Sequence, residues 1–221
     1  MTLSRDTVVP GMLAEYRAFD ELVRRLSGDS WSARTRCQGW KVADVAAHVI
    51  GQLTDVVNLR LEGLGSPEAT ARQVDERSGR APVELADELA TGTDTAAALV
   101  EAFGAPAWDA PIAGSTVQSL GFGLESLWFD TFLHADDIRA ALGQRSEDVS
   151  GLAPSVSHIA QVLTDQGWEA ATLSFDETPA FPVSGGGGRS IRGKAMPFVL
   201  VATGRADPAG LGLDGSVNIY R

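Results

Sequence analysis

Apolar residues recur at helical spacing over most of this chain. Over about residues 7–26, Val8, Val9, Met12, Leu13, Tyr16, Phe19, Leu22, Val23 and Leu26 make a broad stripe interrupted by charged residues, the pattern of a helix with one face in a core. Pro10 suits only a helix start, which sets the beginning close to it, and Ser27-Gly28-Asp29-Ser30 ends the element. A connecting loop follows, anchored on the core by Trp40. A second helix is predicted over about residues 42–62, with Val42, Val45, Ala46, Val49, Ile50, Leu53, Val56, Val57 and Leu61 inward and a stop at Gly63-Leu64-Gly65-Ser66-Pro67. Residues 68–80 are polar and carry no readable period. A third helix spans residues 82–103, with Pro82 in its first turn and Gly92 weakening its middle. Residues 104–123, rich in Gly, Pro and Ser, read as a crossover loop. The fourth helix covers residues 125–143, where Leu127, Trp128, Thr131, Phe132, Ile138, Ala141 and Leu142 share the apolar pattern and Gly143 is the stop.

The texture changes after Gly143. Residues 144–151 form a polar linker, residues 153–167 a fifth helix, and Ala171-Thr172-Leu173-Ser174-Phe175 alternates as a short strand. Four consecutive glycines, Gly185 to Gly188, read as a hairpin turn or loop, and the apolar run at residues 195–203 reads as a last helix or strand. The prediction is a mainly α chain: a four-helix bundle over residues 1–148 and a small α/β lobe over residues 149–221.

Composition sets limits on this picture. A chain of 221 residues with 44% hydrophobic and 21% charged residues is of ordinary globular make-up and can bury one large core with a small appended domain. The net charge of −11 opposes nucleic acid or an anionic membrane surface as the main partner. A single cysteine, Cys37, leaves no internal disulfide framework. No apolar run is long enough to span a bilayer and no basic-then-apolar leader opens the chain, so the cytosol is the expected compartment, with a monomer or homodimer as the expected assembly.

Chemistry-bearing residues stand inside the apolar runs. Asp130 and His134 lie four residues apart, hence on one face of the fourth helix, and His48 lies beside the apolar face of the second. A carboxylate in an apolar run is unfavourable without a partner. Bundles resolve such cases by building metal sites from facing helices, and two imidazoles with a carboxylate suit Zn or another first-row divalent ion. The alternative is a metal-free bundle in which both histidines hydrogen-bond to Asp130. Asp44 and Asp137 each admit two readings, as an acceptor that orients an imidazole or as an acid with a purely local structural role. Cys37 has no histidine near it in sequence and reads as a packed, inert thiol, and His158 as structural or exposed.

The stretch Thr35-Arg36-Cys37-Gln38-Gly39-Trp40-Lys41-Val42-Ala43-Asp44-Val45-Ala46-Ala47-His48 resembles a signature of the mycothiol-dependent maleylpyruvate isomerase family, within the DinB-like four-helix-bundle superfamily. Asp130-Thr131-Phe132-Leu133-His134-Ala135-Asp136-Asp137 with Arg139-Ala140-Ala141-Leu142-Gly143 is similar to its second signature, Glu-x-x-x-His-x-x-Asp and Arg-x-x-Leu-Gly. Thr203-Gly204-Arg205-Ala206-Asp207-Pro208 and Leu213-Asp214-Gly215 are similar to the end of the family's C-terminal domain. The resemblance implies His48, Asp130 and His134 as metal ligands, with Asp130 standing where the family usually has Glu. Glu125 lies on another face, nine residues before His134, and makes a poor substitute. It further implies a divalent metal such as Zn, mycothiol as thiol cosubstrate, and Arg205 as holder of a substrate carboxylate. The activity implied is thiol-dependent isomerisation or S-transfer on a small electrophile, and the alternative is a metal- or small-molecule-binding relative without turnover.

Overall fold

The first of two compact units, Ser4–Glu147, is helical throughout. Its helices are α1 (Arg5–Arg24), the single turn α2 (Asp29–Ser32), α3 (Val42–Val57), α4 (Pro67–Asp75), α5 (Pro82–Phe103) and α6 (Leu120–Ala141). The computed structural model describes residues 3–111 and 118–221, so residues 112–117 of the expected crossover lie outside the described residues. The long helices α1, α3, α5 and α6 form the bundle: α1 packs on α5 and α6, and α3 packs on α5, α6 and α4.

The core follows the sequence stripe. Val8, Met12, Tyr16, Phe19 and Val23, spaced by three or four residues along α1, are fully buried. Gly11 sets the closeness of α1 to α6, since a Cβ there would lie 2.0 Å from the Trp128 ring. Boundaries differ from the sequence expectation at several points. α1 begins at Arg5, with the Ser4 carbonyl accepting from Thr7 and Val8, and Pro10 sits inside it. The proline is exposed, so water can satisfy the carbonyl whose amide partner is missing. α3 stops at Val57, because the chain turns left-handed at Leu59 (φ 57°) and Arg60 N–H returns to the Asp55 carbonyl. Leu61 and Leu64 therefore lie in a loop. α6 starts earlier than expected, at Leu120, where Ser119 caps the Phe122 N–H. Residues 68–80, unreadable by period, hold most of α4: Ser66 accepts from Ala69 N–H and Pro67 stands in the first turn.

The second unit, Asp148–Arg221, contains α7 (Leu152–Asp165), strands β1 (Ala171–Phe175), β2 (Phe181–Val183) and β3 (Arg189–Gly193), and α8 (Ala195–Ala202). The order is β2-β1-β3, with β2 antiparallel and β3 parallel to β1. The glycine run joins two strands that do not pair, so it is a crossover between opposite sheet edges and not a hairpin turn. The four glycines have φ between 54° and 90°, a run that residues with a side chain would strain. The ambiguous run 195–203 is helical, and α7 packs on α8 and β2. The chain is thus mainly α, a helical bundle followed by a small α/β lobe. No described helix is long and apolar enough to cross a membrane.

Candidate metal centre

Facing positions of α3 and α6 bring His48, Asp130 and His134 together, with one ligand atom from each within 4.8 Å of the others. His48 Nε2 stands 3.4 Å from Asp130 Oδ2 and His134 Nε2 stands 3.6 Å from Asp130 Oδ1. The two imidazoles meet edge to face, their centroids 5.2 Å apart. Trp40, from the loop before α3, lies against both, at 5.3 Å from the His48 ring and 6.2 Å from the His134 ring. Both histidines are buried.

The far nitrogen of each imidazole is already engaged. His134 Nδ1 is 2.9 Å from Asp137 Oδ2. Asp137 is fully buried, and Arg36 Nε donates to its other oxygen at 2.5 Å while the same guanidinium pairs with Asp136. His48 Nδ1 is 2.9 Å from Gln73 Oε1 on α4. Gln73 Nε2 in turn donates to Asp55 Oδ2 at 2.7 Å, and Arg72 and Arg60 hold that carboxylate from outside. Both acceptors are oxygens, so each imidazole carries its proton on Nδ1 and turns the Nε2 lone pair toward Asp130. Burial is the largest influence on His48 and favours its neutral form, but Asp130 and Gln73 outweigh it and raise its pKa. The phenol of Tyr16, buried beneath the site, is raised by desolvation and by Asp130, with a bond to Thr131 opposing.

The donor set fits a divalent ion. In a tetrahedral site with bonds of about 2.0–2.1 Å, neighbouring ligand atoms stand about 3.3 Å apart. The observed 3.4 and 3.6 Å are close to that span, and both are long for direct N–H···O bonds. Asp130, one methylene shorter than Glu, still reaches both imidazoles. A second cluster, Cys37, His134 and Asp137, has similarly close atoms. It is a poorer cation site, because His134 Nδ1 bears the proton and Arg36 already neutralises Asp137.

The other sequence candidates fall as follows. Asp137 orients an imidazole. Asp44 accepts from Lys41 N–H at 2.9 Å and has the helix-start role. Cys37 is not remote from histidine: its Sγ is 3.1 Å from Asp137 Oδ2 and 4.0 Å from His134 Nδ1, because α6 comes to the loop that carries it. Glu125 and His158 are buried. Arg205, in the second unit, is half-buried after α8, its Nη1 donating to the Thr203 carbonyl at 3.3 Å. Gln73 and Asp55 escaped sequence reasoning. The only available signal was Ser66-Pro67, a helix start opening a segment that buries one small apolar residue, Ala69, beside the polar Gln73 and Arg77.

Fold and site together describe a helical bundle with an inward His–Asp–His cluster. Residues 12–139 match the family model described as the mycothiol maleylpyruvate isomerase N-terminal domain, and the chain belongs to that family. Two solved structures share the fold over most of both chains. One is a mycothiol-dependent maleylpyruvate isomerase, at 19% identity and a TM-score of 0.62, covering 92% of this chain and 90% of the other. The other is a histidine-to-alanine mutant of a mycothiol-dependent maleylpyruvate isomerase, at 18% identity, a TM-score of 0.64 and the same coverage. No curated protein sequence matches the chain.

Proposed function

We propose that the protein is a metal- and mycothiol-dependent enzyme that adds a thiolate to a small electrophile, completing either an isomerisation or an S-transfer. The observation that supports this reading is the clustering of two imidazoles and one carboxylate, one ligand atom from each within 4.8 Å of the others, with His–Asp separations of 3.4 and 3.6 Å that are long for direct hydrogen bonds. His48, Asp130 and His134 hold the ion, and two nitrogens with one oxygen suit zinc. Bound there, it supplies the Lewis acidity that favours thiolate over thiol at neutral pH. Gln73 and Asp137 keep the imidazoles in the ligating tautomer, and Trp40 shields them from solvent.

With a conjugated cis-alkene as substrate, the sulfur forms a C–S bond to an alkene carbon and the π pair moves onto the conjugated carbonyl. Rotation about the resulting single bond and expulsion of the sulfur gives the trans isomer. Protonation of the same adduct retains the sulfur, which is transfer. Arg205 is proposed to hold a substrate carboxylate by a charge-assisted bond.

Metal analysis and mycothiol-dependent substrate conversion test this. Protein purified without chelator is expected to take up about one equivalent of zinc, and His134→Ala to take up none. In the presence of mycothiol the wild type, and not the variant, should convert cis-4-oxo-2-enoates, either to the trans isomer with the thiol regenerated or to a thioether with the thiol consumed. Equal rates in both would reduce the reaction to background chemistry.

A further inference from the structure

Directly along the bundle from the His–Asp–His cluster lies an apolar space that the cluster itself does not use. Gln52 is one turn beyond His48 on α3, and Ser126 is one turn before Asp130 on α6. Both line a cavity of about 130 Å³, whose walls are otherwise Val56, Leu61, Leu64, Leu124 and Leu127 with neighbouring glycines and Leu120. One helical turn places residues on the same face about 5–6 Å apart, so the cavity starts that far from the cluster on both helices. It shares Val56, Leu61, Leu120, Leu124 and Leu127 with a second cavity of about 260 Å³, which runs on among Met12, Leu53, Leu99 and Val100. No charged side chain is among the described residues lining either. Leu59 and Phe103, 65% and 49% exposed, also line the larger space, and Leu59 holds a left-handed backbone (φ 57°) that a leucine rarely adopts. Exposed apolar side chains gathered at one opening mark a binding surface more than a packing defect.

We propose that this space takes the uncharged hydrocarbon chain of the substrate, so that the electrophile of this protein carries an apolar tail of several carbons beside its reactive group. The proposal rests on the thiol-addition reading for the reactive end, while the apolar end is argued from the cavity alone. Dense negative charge is the wrong occupant, because nothing in the described lining would neutralise it. A polar group nearest the cluster can still meet Gln52 and Ser126, and the chain beyond it meets only hydrocarbon.

The test is a series of cis-4-oxo-2-alkenoates of increasing chain length, measured by displacement of the neutral probe N-phenyl-1-naphthylamine and, separately, by mycothiol-dependent conversion to the trans isomer or to a thioether. Binding should tighten roughly two- to fourfold per methylene added. The half-buried loop residue Leu61, changed to Glu, should flatten that dependence, with zinc uptake serving as the check that the bundle is intact. Leu64→Trp, which fills the cavity without adding charge, should shorten the longest chain accepted. Affinity independent of chain length, or absence of probe uptake by the wild type, overturns the proposal. If binding tightens with length while no member is isomerised or converted to a thioether in the presence of mycothiol, the cavity assignment stands and the thiol chemistry falls. If short and long members are consumed equally and bind equally, the chemistry stands and the cavity assignment falls.

Discussion

His48 and His134 face the same carboxylate but are backed differently, His134 by an anion and His48 by a neutral amide. An anionic acceptor makes its imidazole the more basic donor, and a neutral one leaves the ion more electron-poor. Gln73→Leu, which removes the acceptor and leaves Asp55 and His48 each short of a partner, should weaken zinc binding by about 10–100-fold in competition with a chelator of known affinity. Asp137→Asn should weaken it over a similar range. If either variant matches the wild type in zinc affinity, the backing residue is merely packed there. Asp130 was legible as a polar residue in an apolar run, and its spacing from His134 placed the two on one face. Gln73 was not legible, because an amide in a polar segment carries no sequence mark of the buried imidazole it meets across the fold.

α4 is the element that delivers Gln73, and ion pairs more than apolar contact hold it to the bundle. Its approach to α3 depends on Gly51, where a Cβ would stand 2.6 Å from Gln73 Cβ. Gly51→Ala should lower stability by about 1–3 kcal/mol in urea unfolding and weaken zinc binding too, since the displaced side chain is the one that touches His48. Arg77, nearly buried, donates to Glu88 of α5 at 2.5 Å, and Arg80 joins the same carboxylate. Burial acts to raise the pKa of Glu88, but Thr54, Arg77 and Arg80 outweigh it and the net shift is downward. Asp55 is likewise lowered, with Arg72, Gln73 and Arg60 outweighing burial. Carboxylates depressed in the folded state stabilise it fully above their unfolded values, near pH ~4, and that stability is lost as pH falls through the folded values. Acid unfolding should therefore show a limb below about pH 4 that Glu88→Gln makes shallower, with chemical denaturation at stepped pH as the measurement. This element also explains where sequence reading stopped. The apolar period located α1, α3, α5 and α6 because those helices bury hydrocarbon. α4 buries only Ala69 and Gln73 and meets Asp55 through the Arg72 charge, and the turn after it meets Glu88 through Arg77 and Arg80, so the period of this segment is invisible to hydropathy.

At the scale of the whole chain, two of the three family-like stretches fall on the His–Asp–His cluster. The first lies on the loop and helix that carry Trp40 and His48, the second on the stretch of α6 that carries Asp130, His134 and Asp137. Topology was harder to read. Nothing in Gly185 to Gly188 tells a hairpin from a crossover, because strand pairing is decided by partners distant in sequence. Binding of an ion at the proposed centre is linked to folding, and zinc at a hundredfold excess over its dissociation constant should add about 2.7 kcal/mol of stability. A zinc-dependent rise in the thermal midpoint that disappears in His134→Ala would show this, whereas a rise retained in the variant would place the ion elsewhere. Trp40 gives the same event an optical signature. Its indole lies against both candidate ligand rings. Cobalt, a coloured and paramagnetic substitute for zinc, should quench the emission of this one tryptophan on entry, and Trp40→Phe should remove that signal while the metal still binds. The packing residue of the first signature is thereby a built-in gauge of occupancy, readable in a cuvette without substrate or turnover.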